Sequence, residues 1–204
     1  MKKLLIMLFA FFIGITLVKA DDDLAPNAKS AILIEASTGK VLFEKNADEG
    51  LPPASMTKIM SMLLIMESID NGTLSLNDEV VISKEASDMG GSQVFLNEGE
   101  TYKVSELLKG IAIASGNDAV VAMAEKVAGS TSSFVQMMND KAQELGLQNT
   151  TFINPHGLDA EGHKSSARDM SIIARELLKH EKILEFSSIY EEYLTKNDGT
   201  KTWL

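Results

Sequence analysis

The chain has 204 residues, with 19 Lys+Arg against 29 Asp+Glu, a formal net charge of -10 and no cysteine. These values exclude a disulfide scaffold, a cysteine-ligated zinc site and a thiol enzyme, and four prolines leave no proline-rich tract. So acidic a balance, without a cluster of Lys and Arg, argues against nucleic acid as a partner, whereas 45% apolar residues suffice for the core of one domain.

In chain order, Met1-Lys2-Lys3 is a positive start, Leu4 to Val18 is an uncharged apolar run, and Val18-Lys19-Ala20 carries small residues suited to cleavage. Residues 1–20 read as a secretory signal peptide cleaved after Ala20, which puts residues 21–204 outside the cytoplasm. An uncleaved membrane anchor needs about 20 apolar residues, more than this run offers. Ala31 to Ala36 and Val41 to Glu44 flank Ser37-Thr38-Gly39-Lys40 and predict a β-hairpin. Pro52 and Pro53 forbid a helix before Ala54 and suit one just after it. Ser55 to Ile69 is apolar on nearly every side, the pattern of a helix at the middle of a domain, and Asn71-Gly72 ends it.

Leu74 to Val81 has room for a short extended segment, and Met89 to Ser92 reads as a loop. Helices are expected over Ser105 to Ala114, Asp118 to Ala128 and Ser133 to Leu145, the last two closed by Gly129 and Gly146. Ser166-Ala167-Arg168-Asp169 has the form of a capping box opening a helix to about His180. Tyr190 to Thr195 and Thr200 to Leu204 flank Asn197-Asp198-Gly199, a second hairpin signal. The expectation is an α/β (α+β) domain, helical in the middle with strands at both ends.

Lys58 is the only charged residue between Gly50 and Glu67, three positions after Ser55. Residues at i and i+3 share a helix face, so hydroxyl and amine would meet. Apolar surroundings favour the neutral amine, which can take the proton of a serine, and the helix N-terminus favours developing negative charge. The competing reading is a lysine whose stem packs at a helix start while its head reaches water. Ser37-Thr38-Gly39-Lys40 repeats the Ser-x-x-Lys pattern in a turn, where no apolar wall would act on the lysine. Ser115-Gly116-Asn117 is a second candidate, a polar break between apolar helices with Gly116 permitting a tight turn. A hydroxyl there can relay a proton and an amide can hold a peptide group, although a polar inter-helix loop is the plainer reading. The spacing of His156, His163 and His180 fits no helical metal pair, so neither metal nor cofactor is expected. The methionines read as core filler.

Pro53-Ala54-Ser55-Met56-Thr57-Lys58, Ser92 to Gly99, Ala114-Ser115-Gly116-Asn117-Asp118-Ala119, Asn154-Pro155-His156-Gly157-Leu158 and Ser165 to Met170 occur in this order. Together they resemble the serine D-alanyl-D-alanine carboxypeptidases, the low-molecular-mass penicillin-binding proteins. The resemblance runs from about Pro26 to Leu204. It implies a β-lactamase/DD-peptidase-like fold, an antiparallel sheet with flanking helices and an inserted helical subdomain. It implies Ser55 as the acylated nucleophile, Lys58 as general base, Ser115 as proton relay and Asn117 as the group binding the substrate amide. The implied partners are peptidoglycan stem peptides ending in D-Ala-D-Ala, with β-lactam antibiotics as inhibitors. The family's Lys-Thr-Gly strand motif is not matched by Lys201-Thr202-Trp203, where Trp would crowd the substrate. The expectation is therefore a partial catalytic domain over residues 21–204. Its final strands, and any C-terminal segment associating with a membrane, would lie beyond it, leaving the chain unstable or inactive alone.

Three alternatives compete. A class A β-lactamase-like enzyme needs a Glu-x-x-x-Asn loop, and no Glu from Glu125 onward has Asn four places later. A non-catalytic wall-binding module of the same fold would follow from the unmatched third motif. A membrane-anchored adhesion protein draws only on the N-terminal apolar run.

Overall fold

Helices make up most of the middle of the chain and short strands lie toward both ends, with one further strand pair between the helices. The computed structural model describes residues 24–196 and 198–204. The signal-peptide reading of residues 1–20 and the Asn197 of the second turn signal lie outside the described residues.

At the centre is α1, Thr57–Asp70, entered through a single 3-10 turn at Ala54–Met56. Its Met60, Leu63, Ile65 and Met66 are fully buried, on several faces, because it packs against α4 (Asn117–Ala128), α5 (Thr131–Glu144) and α6 (Ala167–Leu177). Each such side chain contributes about 1.5–3 kcal/mol relative to exposure. Met123 of α4 and Met138 of α5 are equally buried, filling the space between helices.

Side-chain caps place the starts of α5 and α6. Ser130 Oγ accepts from Ser133 N–H at 3.1 Å, so α5 begins two residues earlier than its apolar pattern suggests. Ser166 Oγ accepts from Asp169 N–H at 3.1 Å. Only half of the expected capping box forms. The Asp169 carboxylate instead accepts from Asn149 N–H at 2.7 Å and Thr150 Oγ1 at 2.8 Å, holding the segment between α5 and α6. The α6 helix ends at Leu177, short of His180, whose Nδ1 lies 2.5 Å from Asp70 Oδ2 at the end of α1.

The strands form three separate antiparallel ribbons among the described residues. In the first, β1 (Ala31–Ile34) pairs with β2 (Val41–Lys45), with a register irregularity at Leu33/Ile34. Arg175 of α6 closes over its turn, donating from Nε to Ala36 O at 2.9 Å. The second joins β3 (Glu79–Val81) to β4 (Thr101–Lys103), with Val80 opposite Tyr102. The third joins β5 (Tyr193–Thr195) to β6 (Lys201–Trp203), where the second hairpin is expected. Three short helices complete the order: α2 (Lys84–Ser87), α3 (Val104–Ala112) and α7 (Ile183–Ser187). No helix among the described residues is long and apolar enough to cross a membrane.

Candidate active site

Two prolines deny helix to the segment before Ala54, and the 3-10 turn that follows brings residue i+3 nearly over residue i. Ser55 is exposed on this turn, and Lys58, in the first turn of α1, is 2% exposed. Lys58 Nζ donates to Ser55 Oγ at 3.3 Å and to the His156 carbonyl at 2.8 Å. Burial brings the ammonium of Lys58 down to about 8, while the negative charge of Asp118 pulls the other way. An open hydroxyl thus faces an amine that holds its proton weakly.

The backbone beside Ser55 is strained. Ala54 has φ 48°, a left-handed conformation for a residue with a Cβ. It is held by Gly157, itself at φ 90°, so close that a Cβ there would meet Ala54 O at 1.9 Å. The Pro155-His156-Gly157 segment is further tied to α1 by Ser61 Oγ, which donates to Pro155 O at 2.7 Å. A cleft of about 310 Å³ opens here, lined by Ser55, Ser92, Asn117, His156, Gly157 and Asp159 among others.

Asn117 starts α4 on the opposite wall. Its N–H donates to Ser92 O at 2.7 Å and its Nδ2 to Gly90 O at 2.7 Å, which orients the amide. Gly91 has φ 79°, a backbone that favours glycine, and a Cβ there would press on Asn117 Nδ2 at 2.7 Å. Ser115 is half-buried, two residues before Asn117, and is not among the residues lining the cleft. The tight turn is also not where the sequence suggests: Ser115 takes the positive φ of 56°, and Gly116 is extended. Space around Gly116 is tight, since a Cβ would come 3.0 Å from Asp118 Oδ1, 3.2 Å from Val94 Cγ1 and 3.3 Å from Gly110 O.

Asp118 has no counterpart among the expected site residues. It is 1% exposed, and its carboxylate accepts from the N–H groups of Val94, Leu96 and Ala119 at 2.9–3.1 Å. It braces the irregular 94–96 segment, where Phe95 has φ 60°, and places a negative charge near Lys58. His156 contributes a carbonyl to Lys58, and burial, with Lys58 and His163 nearby, pushes its imidazole down to about 4. In the sequence this loop stands out only as the Asn154 to Leu158 motif, which assigns no role to His156. The other Ser-x-x-Lys match, Ser37 to Lys40, lies in the exposed β1–β2 turn, and Lys40 faces solvent.

The D-alanyl-D-alanine carboxypeptidase model of peptidase S11 matches residues 17–204. The chain belongs to the D-alanyl-D-alanine carboxypeptidase family. It is 60% identical over 186 residues to D-alanyl-D-alanine carboxypeptidase DacF of Bacillus subtilis, covering 91% of this chain and 48% of that protein. It is 44% identical to DacA of Escherichia coli K12, covering 81% and 42%. The chain therefore spans about half the length of the curated carboxypeptidases it matches. Among solved structures, the carboxypeptidase DacD from Francisella tularensis superposes with a TM-score of 0.83 at 31% identity, covering 86% of this chain and 43% of that one. Penicillin binding protein 5 from Haemophilus influenzae gives 0.79 at 34% identity, covering 86% and 51%. The fold is that of the penicillin-binding DD-peptidases, an α+β architecture of the β-lactamase type.

Proposed function

We propose that this chain forms part of a serine D-Ala-D-Ala carboxypeptidase acting on peptidoglycan stem peptides outside the cytoplasm. In this reading residues 1–20 are a cleaved signal peptide and residues 21–204 belong to the catalytic domain. The single observation that carries it is an exposed Ser55 hydroxyl 3.3 Å from a buried Lys58 whose ammonium titrates near 8.

Neutral Lys58 accepts the Ser55 proton as Oγ attacks the carbonyl of the penultimate D-Ala, giving a tetrahedral intermediate. Its collapse breaks the peptide bond, and the proton passes through Ser115 to the leaving amine of the terminal D-Ala. Water then hydrolyses the acyl-enzyme and regenerates Ser55. Asn117, with Nδ2 committed to Gly90 O, offers its amide oxygen to an N–H of the substrate backbone. A β-lactam would enter the same cleft and acylate the same oxygen. Membrane association is left to a segment other than the described helices.

The test is release of D-alanine from a synthetic stem peptide ending in D-Ala-D-Ala by the full-length gene product. Release by the wild type and none by Ser55→Ala is expected. Equal release by both would overturn the assignment.

A further inference from the structure

The loop between Thr151 and Lys164 supplies one wall of the cleft, and its ends are paired. Thr151 N–H donates to Lys164 O at 2.9 Å, and Lys164 N–H donates to Thr151 O at 3.0 Å. One buried side chain in this loop has no part in the chemistry above. His163 is 5% exposed, and its Nδ1 accepts from Ile153 N–H at 3.0 Å. A ring accepting at Nδ1 is neutral with its proton on Nε2, and Nε2 lies 2.8 Å from Thr57 Oγ1. The ring packs beside Phe152, with centroids 6.0 Å apart.

This places one rigid ring between the loop and the start of α1. Thr57 lies between Ser55 and Lys58 in the chain, and Ile153 opens the stretch that carries the His156 carbonyl to Lys58. We propose that His163 is a positioning residue, which locks the 151–164 loop onto Thr57 and so holds the His156 carbonyl against Lys58. The inference rests on the assignment of Ser55 and Lys58 proposed above.

The charged and titratable groups involved are few. Asp159 faces His163 and opposes the burial that keeps its ring neutral. His156 stands near both His163 and Lys58, and Asp118 of α4 acts on Lys58 from the other side. If the ring is lost, the loop loosens, water reaches Lys58, and its ammonium returns toward the ordinary lysine range. Less neutral base is then present at a given pH.

Three variants separate the two ends of the ring. His163→Asn keeps an acceptor for Ile153 but cannot reach Thr57, His163→Gln keeps a donor for Thr57, and Thr57→Val removes the acceptor on the helix. The measurement is the rate of Ser55 acylation by a fluorescent penicillin from pH 6 to 10 in the full-length gene product, with thermal midpoints to report folding. H163N and T57V are expected to move the midpoint of the rate–pH profile upward by about one unit, which leaves acylation about tenfold slower at pH 7. The double variant should be no slower than either single one, and H163Q should recover most of the rate.

An unchanged midpoint in folded H163N and T57V, whatever their stability, would overturn the proposal and leave His163 a purely structural residue. Should H163N fail to fold, the midpoint of T57V decides alone. Absence of acylation in the wild type would instead overturn the Ser55 assignment, and the proposal with it.

Discussion

Lys58 is 2% exposed and three residues from an exposed serine, so the two groups of the proposed proton transfer sit in different environments. Because burial brings its ammonium to about 8, the neutral base accumulates as pH rises through that value. Ser55 acylation is therefore expected to climb about tenfold per pH unit below that value and to level off above it. A rate flat from pH 6 to 9 would contradict this. Lys58→Arg should abolish acylation nearly as fully as Lys58→Ala, since a guanidinium does not give up its proton at these pH values. Gly157→Ala forces a Cβ into the Ala54 carbonyl at a backbone that favours glycine. It is expected to destabilise the protein by about 1–3 kcal/mol, read by urea denaturation, and to slow acylation by disturbing Ala54.

The residue-scale chemistry was readable where it is local. Ser55 and Lys58 announce themselves because both ends of the contact lie within one helical turn and Lys58 interrupts an apolar run. The remaining parts carry no such signal. His156 acts through a carbonyl 98 positions away, and every residue has a carbonyl. Conformational freedom places the tight turn at Gly116, yet Ser115 takes the positive φ while Gly116 sits extended in a tightly packed spot. Asp118 looked like a helix-start residue, and only the folded chain brings Val94 and Leu96 to its carboxylate.

At the scale of elements, caps and buried carboxylates do different amounts of work. Ser166→Ala removes one acceptor at the start of α6 and should cost about 1 kcal/mol. Asp169→Ala strips the acceptor from the partly buried Asn149 N–H, which costs about 1–3 kcal/mol, and leaves Thr150 Oγ1 only its contact with Ser165 Oγ. Urea denaturation should therefore rank D169A well below S166A, and the reverse order would contradict the assigned roles. The long helices were legible from period and closing glycines. The β4 strand and helices α2 and α7 were not, because three to five residues are too few to display a period.

Across the whole molecule, the helical middle forms one continuous core, and the strands remain as two-stranded ribbons. Leu33, Leu42, Val81 and Trp203 on those ribbons are about half exposed or more. The order of motifs pointed to this α+β fold more firmly than any single element did, because four of the five contribute residues to one cleft from separate parts of the chain. Two buried imidazoles also link the fold to pH. His156 and His163 are both held below the ordinary histidine value by burial, so the unfolded chain takes up protons first as pH falls. Stability contributed by these rings is full above about 6.5 and is lost as pH drops toward the folded values. Thermal midpoints should fall between pH 7 and pH 4.5, and less steeply in H163Q. A midpoint independent of pH across that range would contradict the neutral, buried state of both rings.

The most direct measurement is the site of covalent attachment. The full-length gene product would be incubated with a fluorescent penicillin, digested, and the adduct located by mass spectrometry. One adduct is expected, on Ser55, lost in Ser55→Ala and nearly lost in Lys58→Ala. An adduct on another residue, or none at all in the folded protein, would contradict it.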